Sequence, residues 1–203
     1  MRRTEFQQRD QKVIDAFLDS MGHGYLAFVR PDLSPGIVAV NFVRLGTTVY
    51  FHGSPEGEKM TALASRPTVA IMVADALSLI PSHFSGGDLA CPASQFHRAV
   101  VIRGRARIVE DLAEKASALQ ALMEKLQPEG GHLPVSEANP RYRKQLRNTA
   151  VVAIPMEEVT ARFKLGQNLP RARRASIARQ LAERDGPRDR ETARAMALAR
   201  PFA

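Results

Sequence analysis

Four short apolar segments follow one another in the first third of the chain, and their spacing constrains the fold more than any other feature. They occupy residues 25–30, 37–43, 47–52 and 68–74. Each is rich in Val, Ile, Phe or Tyr, and turn signals such as Pro31-Asp32 and Pro35-Gly36 separate them. β-Branched and aromatic side chains suit a pleated, half-buried surface, whereas Pro and Gly mark reversals. Strands this short and this close pair with their sequence neighbours. They predict an antiparallel meander that closes into a barrel.

Helical periodicity brackets and interrupts the meander. An amphipathic helix is expected over residues 9–20, with Val13, Ile14, Phe17, Leu18 and Met21 on one side and Gly22 and Gly24 ending it. A second helix, opened by Ser54 and Pro55, runs to about Ser65 before Pro67. Residues 80–94 contain Pro81, Gly86, Gly87 and Pro92 without periodicity and read as a long loop. The longest strand expected is FHRAVVIRGRARIV, residues 96–109, with Gly104 marking a bulge. Arg98, Arg103, Arg105 and Arg107 punctuate it, at least two of them as a polar outer face.

Asp111 then opens a helix to Leu126, with Glu114 three residues on completing a capping box. Leu112, Leu119, Leu122, Met123 and Leu126 form its apolar stripe. Asn139-Pro140 caps a short helix through Leu146, and strands are expected over 149–154 and 159–165. After Pro170 a helix carries Ile177 and Leu181, and another lies near residues 193–198. These elements divide into a domain of residues 1–165 and a basic helical extension, 166–203. The extension is expected to pack on the barrel through Ile177, Leu181, Met196 and Leu198.

A formal net charge of +8 suggests nucleic acid until it is located. Residues 1–161 hold 18 Lys+Arg against 17 Asp+Glu, and residues 162–203 hold 11 against 4. The body is nearly neutral, and the excess lies in the tail. Such charge either attracts phosphates and acidic partners or forms the solvated face of a helix, and no interleaved aromatic platform accompanies it. Nucleic acid is therefore not the partner expected. One cysteine, Cys91, forbids an internal disulfide, and five scattered histidines show no metal spacing. No apolar run approaches a membrane span, and the basic start lacks an apolar h-region. A soluble cytoplasmic protein without a metal centre is the expectation. GxSxG, GxGxxG and Walker motifs are missing, and no residue is identified as catalytic.

One segment does carry site chemistry. In VYFHGSPEGEKM, residues 49–60, a strand runs out at His52 and Gly53 into a helix start, with Lys59 nearby. Outward N–H groups at a helix N-terminus, a hydroxyl and an ammonium suit an anion, most often a phosphate. Glu56 and Glu58 oppose that reading. An ordinary capped helix with a solvated lysine satisfies the same residues.

The order of the segments resembles the pyridoxamine 5′-phosphate oxidase-like superfamily of FMN-binding split β-barrels, nearest its nitroimidazole-resistance branch. The likeness rests on GYLAFV (24–29), IVAVNFV (37–43), VYFHGSPEGEKM (49–60) and FHRAVVIRGRARIVEDLAEKASALQALMEKLQPEG (96–130). The tail KLGQNLPRARR (164–174) is similar, over a shorter stretch, to a sister branch of FMN-binding regulators. The resemblance implies a mainly β protein with peripheral helices, an antiparallel split β-barrel working as a homodimer with FMN between subunits. It implies that Val40, Asn41 and Phe42 line the flavin ring through backbone groups, and that His52, Gly53, Ser54 and Lys59 hold the ribityl phosphate. The partner subunit then contributes through the positions of Arg98, Val100, Phe163 and Gln167.

The activity implied is that of an FMN-dependent oxidoreductase, passing electrons from reduced nicotinamide, NADH or NADPH, to a small acceptor. His52 or His97 is placed to protonate the reduced product. Departures narrow the expectation. Glu58-Lys59 stands where the oxidase has an Arg-Lys pair, Ala99 stands at the position of a flavin-binding Gln, and Phe163 is nearest to a missing Trp. The residues that recognise pyridoxamine phosphate are not present, so that reaction is not expected. Two alternatives keep the fold: haem held by His23, His52, His83 or His97, and a non-enzymatic regulator using the basic tail.

Overall fold

The computed structural model describes residues 3–86 and 88–199. Gly87 of the expected loop, the first two residues and the last four residues of the tail lie outside them. In chain order the strands are β1 (Gln7–Gln8), β2 (His23–Val29), β3 (Pro35–Leu45), β4 (Thr48–Gly53), β5 (Thr68–Ile80), β6 (Ser94–Arg105), β7 (Arg107–Ile108), β8 (Ala150–Pro155) and β9 (Glu158–Lys164). The helices are α1 (Gln11–Ser20), α2 (Glu58–Ser65), α3 (Leu112–Leu126), α4 (Pro140–Asn148), α5 (Arg171–Arg184) and α6 (Asp189–Leu198). Short 3₁₀ turns occupy Thr4–Phe6 and Ser82–Ser85. The chain divides into two compact units, residues 1–10, 74–100 and 160–203 in one, and 11–73 and 101–159 in the other.

The larger unit contains the meander. Its strands follow the order β5-β2-β3-β4-β8-β7, and their ladders run antiparallel from Tyr25↔Met72 through Gly24↔Val40 and Phe42↔Phe51 to Val49↔Ile154. β8, AVVAIP, is buried along almost its whole length, as a strand covered on both faces must be. Val151 and Ala153 pack with Val109 and Ala118, the last from α3. Asp111 caps α3 by accepting from the Glu114 amide at 2.7 Å, and Asn139 caps α4 through the Arg141 amide at 3.0 Å. The stripe of α3 is rotated from the expected one. Lys115, Ala116, Ala118 and Leu122 are buried, and Leu126 is 44% exposed. Lys115 is buried because its ammonium donates to the Leu146 and Thr149 carbonyls at the end of α4.

Gly104 lies within β6, where another backbone comes close. A Cβ there would lie 2.0 Å from the Pro155 carbonyl oxygen, so the site tolerates only glycine. The expected 96–109 strand breaks at Ala106, whose amide donates to the Pro67 carbonyl at 2.8 Å. β5, expected to stop at Ala74, continues to Ile80 and becomes the longest strand.

The smaller unit holds strands in the order β1-β9-β6-β5, with α5 and α6. Ile177, Leu181 and Met196 are buried as expected, but Leu198 is 86% exposed and takes no part in packing. Polar groups fasten these helices. The Ser78 hydroxyl donates to Asp189 at 2.6 Å, and the Thr192 hydroxyl accepts from the Ser78 amide at 3.0 Å. Arg184 grips Asp189 at 2.6 Å, and Asp75 accepts from both Arg98 and Arg188.

Candidate functional site

β3 changes partner midway, and the candidate site starts from that change. Its ladder to β2 covers 35–41, whereas its ladder to β4 runs only from Leu45↔Thr48 to Phe42↔Phe51. β4 then continues along β8 alone, through His52↔Val151 and Gly53↔Ala150. Past Phe42 the edge of β3 that faces away from β2 therefore has no ladder to β4. Backbone N–H and C=O groups on such an edge are obligatory donors and acceptors and suit the polar rim of a flat ligand. Val40 and Phe42 point into the core, at 7% and 0% exposure, so only backbone is on offer, and the Phe42 carbonyl already accepts from Lys125 at 3.1 Å. Asn41 is exposed, its side-chain amide donating to the Gly22 carbonyl at 3.0 Å.

Where β4 ends, the chain turns through Ser54, Pro55 and Glu56 before α2. The helix opens at Glu58, not at Ser54. The Ser54 hydroxyl accepts from the Glu56 amide at 3.2 Å, a local turn that competes with capping. Gly57 occupies the N-cap with φ 119° and supplies no side-chain cap. The first amides of α2 thus have no side-chain acceptor at their N-cap. Lys59, the second helical residue, bends back over β4, and a Cβ on Gly53 would meet its Nζ at 2.9 Å. Gly53 is the cradle that admits the ammonium. His52 is exposed at the end of β4, and partial desolvation first, then the Lys59 charge, lowers its imidazole pKa. The corner therefore offers a cation, free-facing amides, a hydroxyl and a neutral imidazole, which fits a phosphate.

Glu58 stands where a second cation was missing, and the structure shows how its charge is handled. Arg30, at the end of β2, pairs with it at 2.6 Å and also donates to the Pro35 carbonyl. No spacing rule joins residues so far apart, and complementary charge is the one sign of this pair in the sequence. Three arginines of the expected long strand are engaged elsewhere: Arg98 with Asp75 and Glu191, Arg103 with Glu158, and Arg107 with Glu114.

Val40, Asn41, Phe42, His52, Gly53, Ser54 and Lys59 all lie in the larger unit, where the register brings β3 and the end of β4 together. Arg98, Val100, Phe163 and Gln167 lie in the smaller one. There Val100 and Phe163 are buried on the neighbouring strands β6 and β9. Gln167 folds inward, accepting from the Leu165 amide at 2.7 Å and donating to the Phe163 carbonyl at 2.6 Å. His97 is half-buried, and burial again leads the lowering of its pKa. Among the described residues no group of three or more His, Cys, Asp or Glu is placed to hold a metal. No described helix is long and apolar enough to cross a membrane.

One face of the larger unit is apolar and open. Ile37 is 71% exposed, Met72 42%, Tyr25 39% and Val29 37%. The register sets Tyr25 beside both Ala39 and Met72, and Ala27 beside both Ile37 and Ala70, so the patch is continuous across three strands.

The family model described as pyridoxamine 5′-phosphate oxidase matches residues 10–163. No curated protein matches the sequence. Solved structures share the fold. A protein of Bacteroides thetaiotaomicron described as a 5-nitroimidazole antibiotic resistance protein is 22% identical with a TM-score of 0.63, over 76% of this chain and 84% of that one. The flavocytochrome Anf3 of Azotobacter vinelandii is 25% identical with a TM-score of 0.67, over 78% and 69%. An FAD and haem binding protein of Mycobacterium smegmatis is 22% identical with a TM-score of 0.67, over 78% and 73%. The mainly antiparallel sheet with helices is consistent with the split-barrel fold.

Proposed function

The chain belongs to the pyridoxamine 5′-phosphate oxidase family, and from that premise we propose that it is a homodimeric FMN-binding oxidoreductase. The observation that carries the reading is the parting of β3 and β4 beside an uncapped helix start, with Lys59 held over Gly53. In this reading the backbone of Val40, Asn41 and Phe42 meets the polar edge of the flavin ring. The Lys59 ammonium, the Ser54 hydroxyl and the first amides of α2 hold the ribityl phosphate. His52 stays neutral and donates or accepts without adding charge. Arg30 keeps Glu58 from repelling the phosphate. The bound flavin supplies the redox chemistry, between reduced nicotinamide and a small acceptor.

The open apolar face supports the dimer. Contiguous exposed apolar surface is uncommon on a solitary protein and marks an interface. A second copy seated there covers Ile37, Tyr25 and Met72, and brings Arg98, Val100, Phe163 and Gln167 of the partner subunit toward the ring. His52, exposed, and His97, half-buried, both with lowered pKa, also suit a haem ligand, and two of the solved structures are named for haem or cytochrome. A spectrum separates the readings. Protein mixed with FMN shows flavin absorbance near ~450 nm that survives gel filtration. A Soret band after haem titration, lost in a single His→Ala variant, with no retained flavin, replaces FMN by haem.

A further inference from the structure

The smaller unit contains a cavity of about 530 Å³ that none of the residues assigned to the phosphate corner lines. Its charged lining is Arg3, Arg162, Lys164 and Arg173, and no carboxylate lines it among the described residues. Its apolar lining includes Phe6, Ile80, Phe96 and Ile177, each no more than 3% exposed. Local structure accounts for the grouping. Arg162 and Lys164 alternate on β9 and so share one face, as do Ser94 and Phe96 on β6. Arg173 and Ile177 stand four residues apart on α5 and share a helix face.

The cations are held in place but not neutralised. Lys164 donates to the Ser94 hydroxyl, Arg162 lies over the Phe6 ring at 5.2 Å, and Arg173 donates to the Ser85 carbonyl at 3.2 Å. Among the described residues only Arg3 of the four has a carboxylate within reach, Glu5 at 3.9 Å. Elsewhere in this unit the arginines work differently: Arg98, Arg184, Arg188 and Arg190 all meet acids. Burial, then Arg162 and Arg3, lowers the Lys164 pKa, the condition that an incoming anion relieves.

From this geometry we infer that the cavity is a second ligand site, for a small aromatic acid or phosphate ester. The apolar lining takes the ring, and Arg162 and Lys164 take the anionic head, with Arg173 and Arg3 as further donors. A neutral ring leaves the cations unpaired, and a bare anion leaves the apolar lining wet, so the site favours the combination. Cys91, the only cysteine of the chain, is exposed on the same lining and reports occupancy.

The test titrates the full-length protein with phenyl phosphate and with benzoate by calorimetry. Benzyl alcohol serves as the neutral ring and inorganic phosphate as the ringless anion. The expected result is saturable binding of at least one acid, about tenfold or more tighter than either control. The tighter acid identifies the head group. Arg162→Gln combined with Lys164→Met weakens that binding by about tenfold or more, and Arg173→Gln alone, a change at an exposed residue, weakens it severalfold. The bound acid slows Cys91 modification by iodoacetamide. Equal binding of benzyl alcohol, no saturable binding of either acid, or unchanged affinity in Arg173→Gln overturns the inference, whether or not the double variant folds. So does Cys91 reactivity that the acid leaves unchanged.

Discussion

Helices α5 and α6 are rich in arginine, yet most of the polar groups they bury are matched, Arg174 Nε being the buried side-chain atom without a partner among the described residues. The outer face of β2, β3 and β5 is rich in apolar side chains, yet it stands open. In the first region Asp189, fully buried, receives Arg184, Ser78 and the Gly186 amide, and Asp75 receives Arg98 and Arg188. In the second, Ile37, Tyr25 and Met72 have no cover within their unit. Composition alone points the other way, with the charged tail inviting a partner and the sheet inviting none. The contrast teaches that an interface is recognised by what is left unsatisfied. Tail arginines already paired to acids have less charge to offer nucleic acid, whereas an uncovered apolar face still has area to bury.

The largest effect expected on this comparison comes from Asp189→Ala. Removing the acid leaves Arg184 and Ser78 without their partner and costs about 3 kcal/mol of stability, read by urea unfolding. A change under about 1 kcal/mol breaks the claim that the buried acid fastens α6. Ile37→Lys is the counterpart on the open face. It shifts the protein from dimer to monomer in sedimentation by about tenfold or more in Kd while leaving monomer stability within about 0.5 kcal/mol. If the dimer survives, the face is not the interface.

Acid sharpens the first region. Arg184 leads the causes that hold Asp189 down to about 2, from an ordinary value of 3.8. Its folded pKa is depressed, so its contribution is fully present above the unfolded value and is lost as pH falls from about 4 toward about 2. Asp189→Asn removes that part of the acid titration of stability. A counterpart of opposite sign lies at high pH in the larger unit. Burial lowers Lys125 to about 8, although its ammonium reaches the Leu18 and Phe42 carbonyls and the Phe42 ring. Here the unfolded chain binds the extra proton, so stability rises between about pH 8 and 10.5. Lys125→Met flattens that rise.

Much of the fold was legible because its causes are local. The β8 run, the Asp111 and Asn139 caps, and the apolar residues Ile177 and Leu181 all declare themselves within a few positions. β5 beyond Ala74 was not legible. Asp75 and Ser78 are polar residues that a buried strand does not invite until Arg98, Arg188, Asp189 and Thr192 arrive from distant sequence to satisfy them. The phosphate corner was legible as a pattern of Gly, Ser and Lys, but not in detail. Ser54 makes a local turn, Gly57 delays the helix, and the partner of Glu58 is Arg30. The basic cavity was invisible, because strand and helix spacing bring its cations together only in three dimensions.

The central claim is that the corner of His52, Gly53, Ser54 and Lys59 holds the phosphate of FMN. The direct measurement is flavin fluorescence during titration of FMN into the purified protein, with Lys59→Met and Gly53→Val beside it. The account predicts saturable quenching at two flavins per dimer. It predicts affinity about tenfold or more weaker in Lys59→Met, and weaker again in Gly53→Val, where the added side chain displaces the ammonium. Riboflavin, which lacks the phosphate, binds about equally to all three proteins. FMN that binds all three alike, or that does not bind at all, contradicts the account.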